Sequence, residues 1–215
     1  MKLTNMKLTN MKTTKICVWT LCSLLTSVPA FAAKKEKCTF EFDAKGTQMK
    51  WTAFKTTEKL AVAGSFDKVK VKPHKNKASA MIDLVHGAKF TIEAMSVNSG
   101  NPTRDATLKT VFFGKLDKKE ITGVVKKIGA TPRGVMDVEI QLNGVSKVIP
   151  FEYSVQEDGK FESTGKIEAM DFNLKLQHEA LSQACKALHA GKDGVSKTWT
   201  EVDLQLVSQF KKTCR

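Results

Sequence analysis

Residues 135–174 read VMDVEIQLNGVSKVIPFEYSVQEDGKFESTGKIEAMDFNL, and the fold prediction starts from this segment. Apolar and polar residues alternate from Met136 to Leu142, which is typical of a strand with one buried face. Asn143-Gly144 follows at once, and because both residues tolerate a positive φ, the pair favours a tight hairpin turn. The alternation then resumes twice, on either side of a second turn at Glu157-Asp158-Gly159. The segment therefore predicts three antiparallel strands joined by short turns.

The rest of the chain repeats this pattern, with turn residues between the alternating segments. Long strands are predicted around Trp51–Phe66 and Lys197–Phe210, and a shorter one at Ala78–Leu84. A short helix is predicted at Arg104–Val111, with Thr103 as its N-cap. About eight strands with one or two short helices favour an all-β fold, an antiparallel up-and-down barrel. Eight strands enclose room for side chains or for one slender ligand, and the pattern does not distinguish the two.

One helical segment interrupts the strands near the end of the chain. Within residues 177–190, Leu181, Ala184, Cys185 and Leu188 recur at intervals of three and four, as they do along one face of a helix. This apolar stripe has to cover another part of the protein. We expect the helix to close or narrow one end of the barrel, and packing on the outer wall is the alternative that stays open.

The first 32 residues have the features of a secretory signal peptide. After Met11, the expected start, basic residues precede the apolar run Ile16–Val28. Ala30-Phe31-Ala32 then has small residues at the two positions that signal peptidase requires. We therefore expect a periplasmic protein that begins at Ala33.

The chain is strongly basic, with 35 Lys and Arg against 22 Asp and Glu. Removal of residues 1–32, which carry four lysines and no acidic residue, leaves a net charge of +9. Such a charge favours anionic surfaces. In an exported protein these are phospholipid headgroups rather than nucleic acid, so the expected partners include transient contact with an anionic membrane surface. A lysine-rich outer face that only keeps a barrel soluble is the alternative.

Three cysteines remain after the expected processing: Cys38, Cys185 and Cys214. Secretion permits a disulfide, and the odd number leaves one thiol over. Cys38 opens the first strand and Cys214 closes the last, and these ends are neighbours when an up-and-down barrel closes antiparallel. We therefore expect a Cys38–Cys214 disulfide, with Cys185 as a buried free thiol on the helix.

The sequence offers little for catalysis or metal binding. His74, His86, His178 and His189 have no second ligand at a useful spacing, and neither a His-Glu-x-x-His run nor a Gly-x-Ser-x-Gly turn occurs. We therefore expect no metal, no cofactor and no enzymatic activity. Arg104-Asp105 has a candidate role, because Arg104 at the barrel mouth would meet an anionic headgroup. The alternative is a local ion pair that fixes the start of the helix.

Four segments, taken in order, resemble the YceI-like family. They are Val62-Ala63-Gly64-Ser65-Phe66, then Arg104-Asp105 with Leu108, then Leu142–Lys147, and finally Gly165-Lys166-Ile167 with Asp171–Leu174. The similarity covers most of Phe40–Leu206, with the helical segment 177–190 as an insertion. The chain differs from the family pattern at Thr107, where the family commonly has His. It implies that residues 33–215 form one lipocalin-like periplasmic barrel that holds an isoprenoid or another long-chain amphiphile.

The pattern and the resemblance together predict a binding or carrier protein for an isoprenoid or a fatty-acid-like lipid. The alternative is a stress- or surface-associated interaction protein with a solid barrel and a basic outer face. The oligomeric state, including a homodimer, is open. Ligand-binding candidates are the inward strand positions, with Arg104 at the mouth: Trp51, Val62, Phe66, Phe90, Ile92, Arg104, Phe112, Val138, Ile140, Ile149, Phe151, Tyr153 and Phe172.

Overall fold

The computed structural model describes residues 37–215, and the expected signal peptide lies outside them. The strands are β1 (Cys38–Lys55), β2 (Leu60–Phe66), β3 (Val69–Lys72), β4 (Lys77–Ala78), β5 (Lys89–Glu93), β6 (Val97–Asn98), β7 (Glu120–Lys127), β8 (Arg133–Leu142), β9 (Val145–Val155), β10 (Lys160–Glu168) and β11 (Thr198–Cys214). The α-helices are α1 (Ile82–Val85), α2 (Pro102–Thr107) and α3 (Lys175–Ala184). In addition, α2 continues into a π-helical turn at Leu108–Phe112, and 3-10 turns occupy Ala94–Ser96, Phe113–Lys115, Ala169–Phe172 and Lys186–His189.

The strands close into a ring of eight. Two residues separate β2 from β3, and one 3-10 turn separates β5 from β6, so each pair forms a single bent strand. The bent strand β2–β3 pairs with β1 on one side and with β5–β6 on the other. The remaining neighbours follow chain order, and β11 returns to β1. The expected all-β, antiparallel up-and-down barrel is confirmed.

The period-two alternation sets which side chains enter the barrel. On β8, Met136, Val138, Ile140 and Leu142 are buried, and the residues between them face outward. Direct cross-strand partners share a face, and Met136 accordingly lies opposite the buried Phe151 of β9. The apolar core is therefore the inside of the ring.

The two ends of the barrel differ. The connections β1–β2, β6–β7, β8–β9 and β10–β11 share one end, which we call the helical end because it carries α2 and α3. The opposite end, called the plugged end, carries the first and last described residues and α1. Leu84 and Val85 of α1 are buried there and belong to the same apolar cluster as Phe161 and Phe210.

Several local predictions are wrong. The segment around Trp51–Phe66 is not one long strand, because a turn separates β1 from β2 and the two pair as a hairpin. The helix predicted over residues 177–190 ends at Ala184, and Leu188 is 71% exposed instead of lying in a covered apolar stripe. The strand predicted at Ala78–Leu84 is only the two-residue β4 followed by α1, because an apolar run this short does not distinguish strand from helix. The N-cap of α2 is Asn101 rather than Thr103, since the Asn101 side chain accepts a hydrogen bond from the backbone N–H of Arg104. None of the helices in residues 37–215 is long and apolar enough to cross a membrane.

The Cys38–Cys214 disulfide is confirmed. Cys38 and Cys214 are direct partners in the β1–β11 ladder, so the bond ties the first and last strands at the plugged end. Cys185 is a free cysteine, but it is half-buried rather than fully buried as expected. Burial raises the pKa of the Cys185 thiol, and the charge of Lys55 opposes this increase.

Replacement of both Cys38 and Cys214 by Ser should lower the free energy of unfolding by ~4–5 kcal/mol, because a long loop is no longer closed in the unfolded chain. Urea unfolding of the oxidised protein measures this change. Cys185→Ser is the matched control and should shift the free energy by less than about 1 kcal/mol. Equal stability of the double variant and the wild type would contradict a structural role for the bond.

Candidate binding cavity

The barrel interior contains an apolar cavity of about 180 Å³. Side chains from all eight strands of the ring contribute to its wall, and none of these lining residues is Asp, Glu, Lys or Arg. Such a lumen accommodates hydrocarbon and penalises an ionised group. The volume is below the ~300 Å³ of typical small-molecule sites, so a long-chain occupant has to be slender or extend toward the helical end.

Three aromatic rings of the wall lie against glycines of the neighbouring strand. The direct cross-strand pairs are Trp51 with Gly64, Phe90 with Gly123, and Phe151 with Gly165. A Cβ added at Gly165 would lie 2.8 Å from Phe151 ring atoms, and a Cβ at Gly64 or Gly123 would overlap the opposing ring. Each ring therefore fills the space that a facing side chain would take, and lies along the wall instead of across the lumen.

Eight of the thirteen candidate residues line the cavity. They are Trp51, Phe66, Phe90, Ile92, Phe112, Val138, Ile140 and Phe151. Val62 and Ile149 occupy inward register positions, opposite Ala53 and Val138, but they do not reach the wall. For all of these residues, contact with a ligand stays a prediction.

Tyr153 and Phe172 are buried away from the cavity. The Tyr153 hydroxyl donates its proton between the carbonyl oxygens of Gly129 and Thr131, at 3.1 and 3.0 Å, so this side chain belongs to the plugged end. Phe172 lies in a 3-10 turn, because β10 ends at Glu168 before reaching it. Alternation predicts that both face inward but does not give their level along the barrel axis.

The Arg104 side chain acts locally instead of at the cavity. Its Nε donates to Ser99 Oγ at 2.8 Å, and its Nη2 donates to the Ser99 carbonyl at 2.9 Å. Asp105 Oδ1 accepts from the Ser99 backbone N–H at 2.8 Å. Both side chains therefore fix the turn before α2 through Ser99, and Arg104 is not part of the cavity wall.

The helical end is covered by α3, with His178 and Leu181 facing the cavity. The buried Gln177 donates through Nε2 to the Lys115 carbonyl at 2.8 Å, which joins α3 to the segment after α2. His178 Nε2 lies 3.1 Å from the Thr198 carbonyl at the start of β11. The structure thus places this helix over a barrel end and not on the outer wall.

His189 makes a second contact with Thr198. Its Nδ1 lies 2.6 Å from Thr198 Oγ1 in the turn that follows α3. Burial lowers the pKa of His189, and the charges of Lys55 and His178 lower that pKa further. The fold therefore favours the neutral imidazole.

Much of the wall lies outside the predicted set. Val202, Leu204 and Leu206 line the cavity, and their alternation along β11 is visible in the sequence. His178 and Leu181 become recognisable as wall residues only once the position of α3 is known. Across residues 37–215, no group of three or more His, Cys, Asp or Glu side chains is placed to hold a metal ion.

A family model described as "YceI-like domain" matches residues 40–210. Among solved structures, the chain is similar to a polyisoprenoid binding domain from Saccharophagus degradans, with a TM-score of 0.57 and 16% identity over 82% of this chain and 99% of that one. It is also similar to Burkholderia cenocepacia BcnA, with a TM-score of 0.54 and 12% identity over 78% of this chain and 98% of that one. These identities show a shared fold. No curated protein matches the chain.

Gly165→Ala should lower the free energy of unfolding by about 1–3 kcal/mol, because the added methyl overlaps the Phe151 ring. In a Phe151→Leu background the same change should cost less, since the ring is gone. Urea unfolding of the four proteins gives the coupling energy of the pair. Equal cost in both backgrounds would show that the ring and the glycine are independent.

Acid should destabilise the His189 contact. The folded pKa lies below the ordinary value of ~6.5, so stability is fully present above pH ~6.5 and is lost as the pH falls through the folded pKa. Thermal unfolding of the wild type from pH 8 to pH 5 should show this loss, and His189→Gln should show less of it. His74→Gln, at an exposed site, is the control. Identical pH profiles for wild type and His189→Gln would rule out this contribution.

Proposed function

This chain belongs to the YceI-like family, and we propose that it is an exported carrier that binds a long-chain amphiphile inside its barrel. The observation that carries the proposal is the apolar cavity walled by all eight strands. An isoprenoid or a fatty-acid-like lipid matches this wall, because such chains are slender and uncharged along most of their length. The naming of one structural neighbour as a polyisoprenoid binding domain supports the same ligand class.

A charged headgroup in this proposal stays at the helical end. Trp199 lines the cavity there, and Lys197 Nζ lies 3.5 Å from its ring centroid. Lys59 Nζ lies 4.9 Å from the same ring. Lys59 is ion-paired with Glu201, so Lys197 is the cation that supports a headgroup position beside Trp199, in place of the predicted position at Arg104.

The cavity favours a carrier over the alternative of a solid interaction protein. A barrel filled by its own side chains would not have a lumen lined by eight strands. The proposal contains no catalytic step and no cofactor, because holding a chain in an apolar lumen requires neither. A net charge of +9 after removal of residues 1–32 supports transient contact with anionic lipid headgroups as an accompanying property.

The proposed compartment is the periplasm. The apolar run and the small residues at Ala30 and Ala32 support export, and the Cys38–Cys214 bond suits an oxidising compartment.

Ile140→Trp should reduce the amount of lipid that copurifies, because the indole fills part of the lumen that a chain would occupy. Organic extraction followed by mass spectrometry measures the lipid recovered per protein. Val148→Trp is the matched control, since Val148 is 55% exposed on the outer face of β9. Leu204→Phe serves as a smaller obstruction in case Ile140→Trp does not fold. Unchanged lipid content in folded Ile140→Trp and Leu204→Phe would refute binding in the lumen.

Protein recovered from the periplasm should begin at Ala33, because the cleavage signal ends at Ala32. N-terminal sequencing or intact mass measures this directly. Substitution of Ala32 by a bulky residue such as Trp should leave the precursor uncleaved. An intact Met1 or Met11 in exported wild-type protein would contradict the processing.

A further inference from the structure

Ser163 is a polar residue of the cavity wall whose hydroxyl has no hydrogen-bond partner among the described residues. It is only 2% exposed. The other wall residues with a side-chain nitrogen or oxygen all have partners within the protein. His178, Thr198 and Thr200 bond to the Thr198 carbonyl, His189 and Glu168. The indole N–H groups of Trp51 and Trp199 donate to the carbonyls of Ser65 and Thr56. Ser163 therefore differs from the other polar residues of the wall, because its hydroxyl has no hydrogen-bond partner among the described residues.

Ser163 lies where the cavity stops. Its cross-strand partners are Leu206, which lines the cavity, and Tyr153, which does not. The next inward residue toward the plugged end, Phe161, is 1% exposed and outside the wall. From Glu168, where β10 ends, five residues of strand correspond to roughly 16 Å, or about 12 Å along the axis of a barrel with tilted strands. The Ser163 hydroxyl therefore marks the deep end of the lumen.

A buried hydroxyl without a partner destabilises a fold, and an apolar residue at this position would avoid that effect. An ordered water is a poor partner here, because a buried water needs about three hydrogen bonds. The wall residue directly opposite Ser163 is the apolar Leu206, and the next residue across the ladder is the apolar Met49. A group carried into the lumen by a bound chain does not need additional partners to hold it in place, because the chain itself is held by the wall.

We propose that Ser163 is a hydrogen-bonding subsite for an uncharged polar group at the buried end of the ligand. The group is a hydroxyl, a carbonyl or an amide, because no cation lines the cavity to balance an anion. The preferred ligand then has a polar group at the end that enters first, in addition to any headgroup at the helical end. This inference rests on the proposed function.

The test compares farnesol with the hydrocarbon farnesene, two isoprenoid chains that differ in the hydroxyl. Displacement of the fluorescent probe N-phenyl-1-naphthylamine gives the affinity of each for the full-length mature protein. Ser163→Ala should weaken farnesol binding by about two- to tenfold and leave farnesene binding unchanged. Ser208→Ala is the matched control: Ser208 is also buried on an inward position of the neighbouring strand, but its Oγ bonds Thr47 Oγ1 at 3.0 Å and lies outside the wall. It should not change the farnesol-to-farnesene ratio.

A second readout separates a ligand subsite from a structural role. Without lipid, Ser163→Ala should melt at the wild-type temperature or above it, since no hydrogen bond is lost, whereas Ser208→Ala should melt lower. Three results would each overturn the subsite while leaving the proposed function intact. They are a lower melting temperature for lipid-free Ser163→Ala, an equal loss of affinity for farnesol and farnesene, and no change in the affinity for farnesol. If neither farnesol nor farnesene binds to the wild type, the subsite and the proposed function both fail.

Discussion

The hollow barrel depends on aromatic rings that pack over glycines across neighbouring strands. Eight strands enclose a space that ordinary side chains can fill completely. At three cross-strand pairs, with Phe151 over Gly165 as one of them, a large ring faces a residue without a side chain and lies along the wall. The same rings that would obstruct the lumen therefore form its apolar lining, and the cavity follows from register as much as from composition.

The two ends of the barrel are closed in different ways. The Cys38–Cys214 bond and the buried residues of α1 fix one end of the barrel. The other end is covered by α3, which is held to Thr198 through the side chain of His178. In the proposed function a ligand enters at this second end, because moving one short helix disturbs fewer buried contacts than opening the plugged end.

The sequence predicted what depends on local periodicity or on chain order. Alternation gives the inward face of each strand, and the order of strands brings Cys38 beside Cys214. Alternation does not show how far along the barrel axis a residue lies. It therefore predicts Tyr153 in the cavity wall, whereas the Tyr153 side chain lies at the plugged end. Alternation also gives no information about the Arg104 side chain, because its partner Ser99 lies in the turn before α2. The orphaned hydroxyl of Ser163 is evident only once the neighbours are known.

The most direct measurement is a crystal structure of the protein purified without organic solvent. If an amphiphile occupies the lumen, one elongated molecule should extend from Leu181 at the helical end, past Phe151, toward Ser163. A lumen filled by the protein's own side chains, or lipid bound only on the outer surface, would contradict binding inside the barrel.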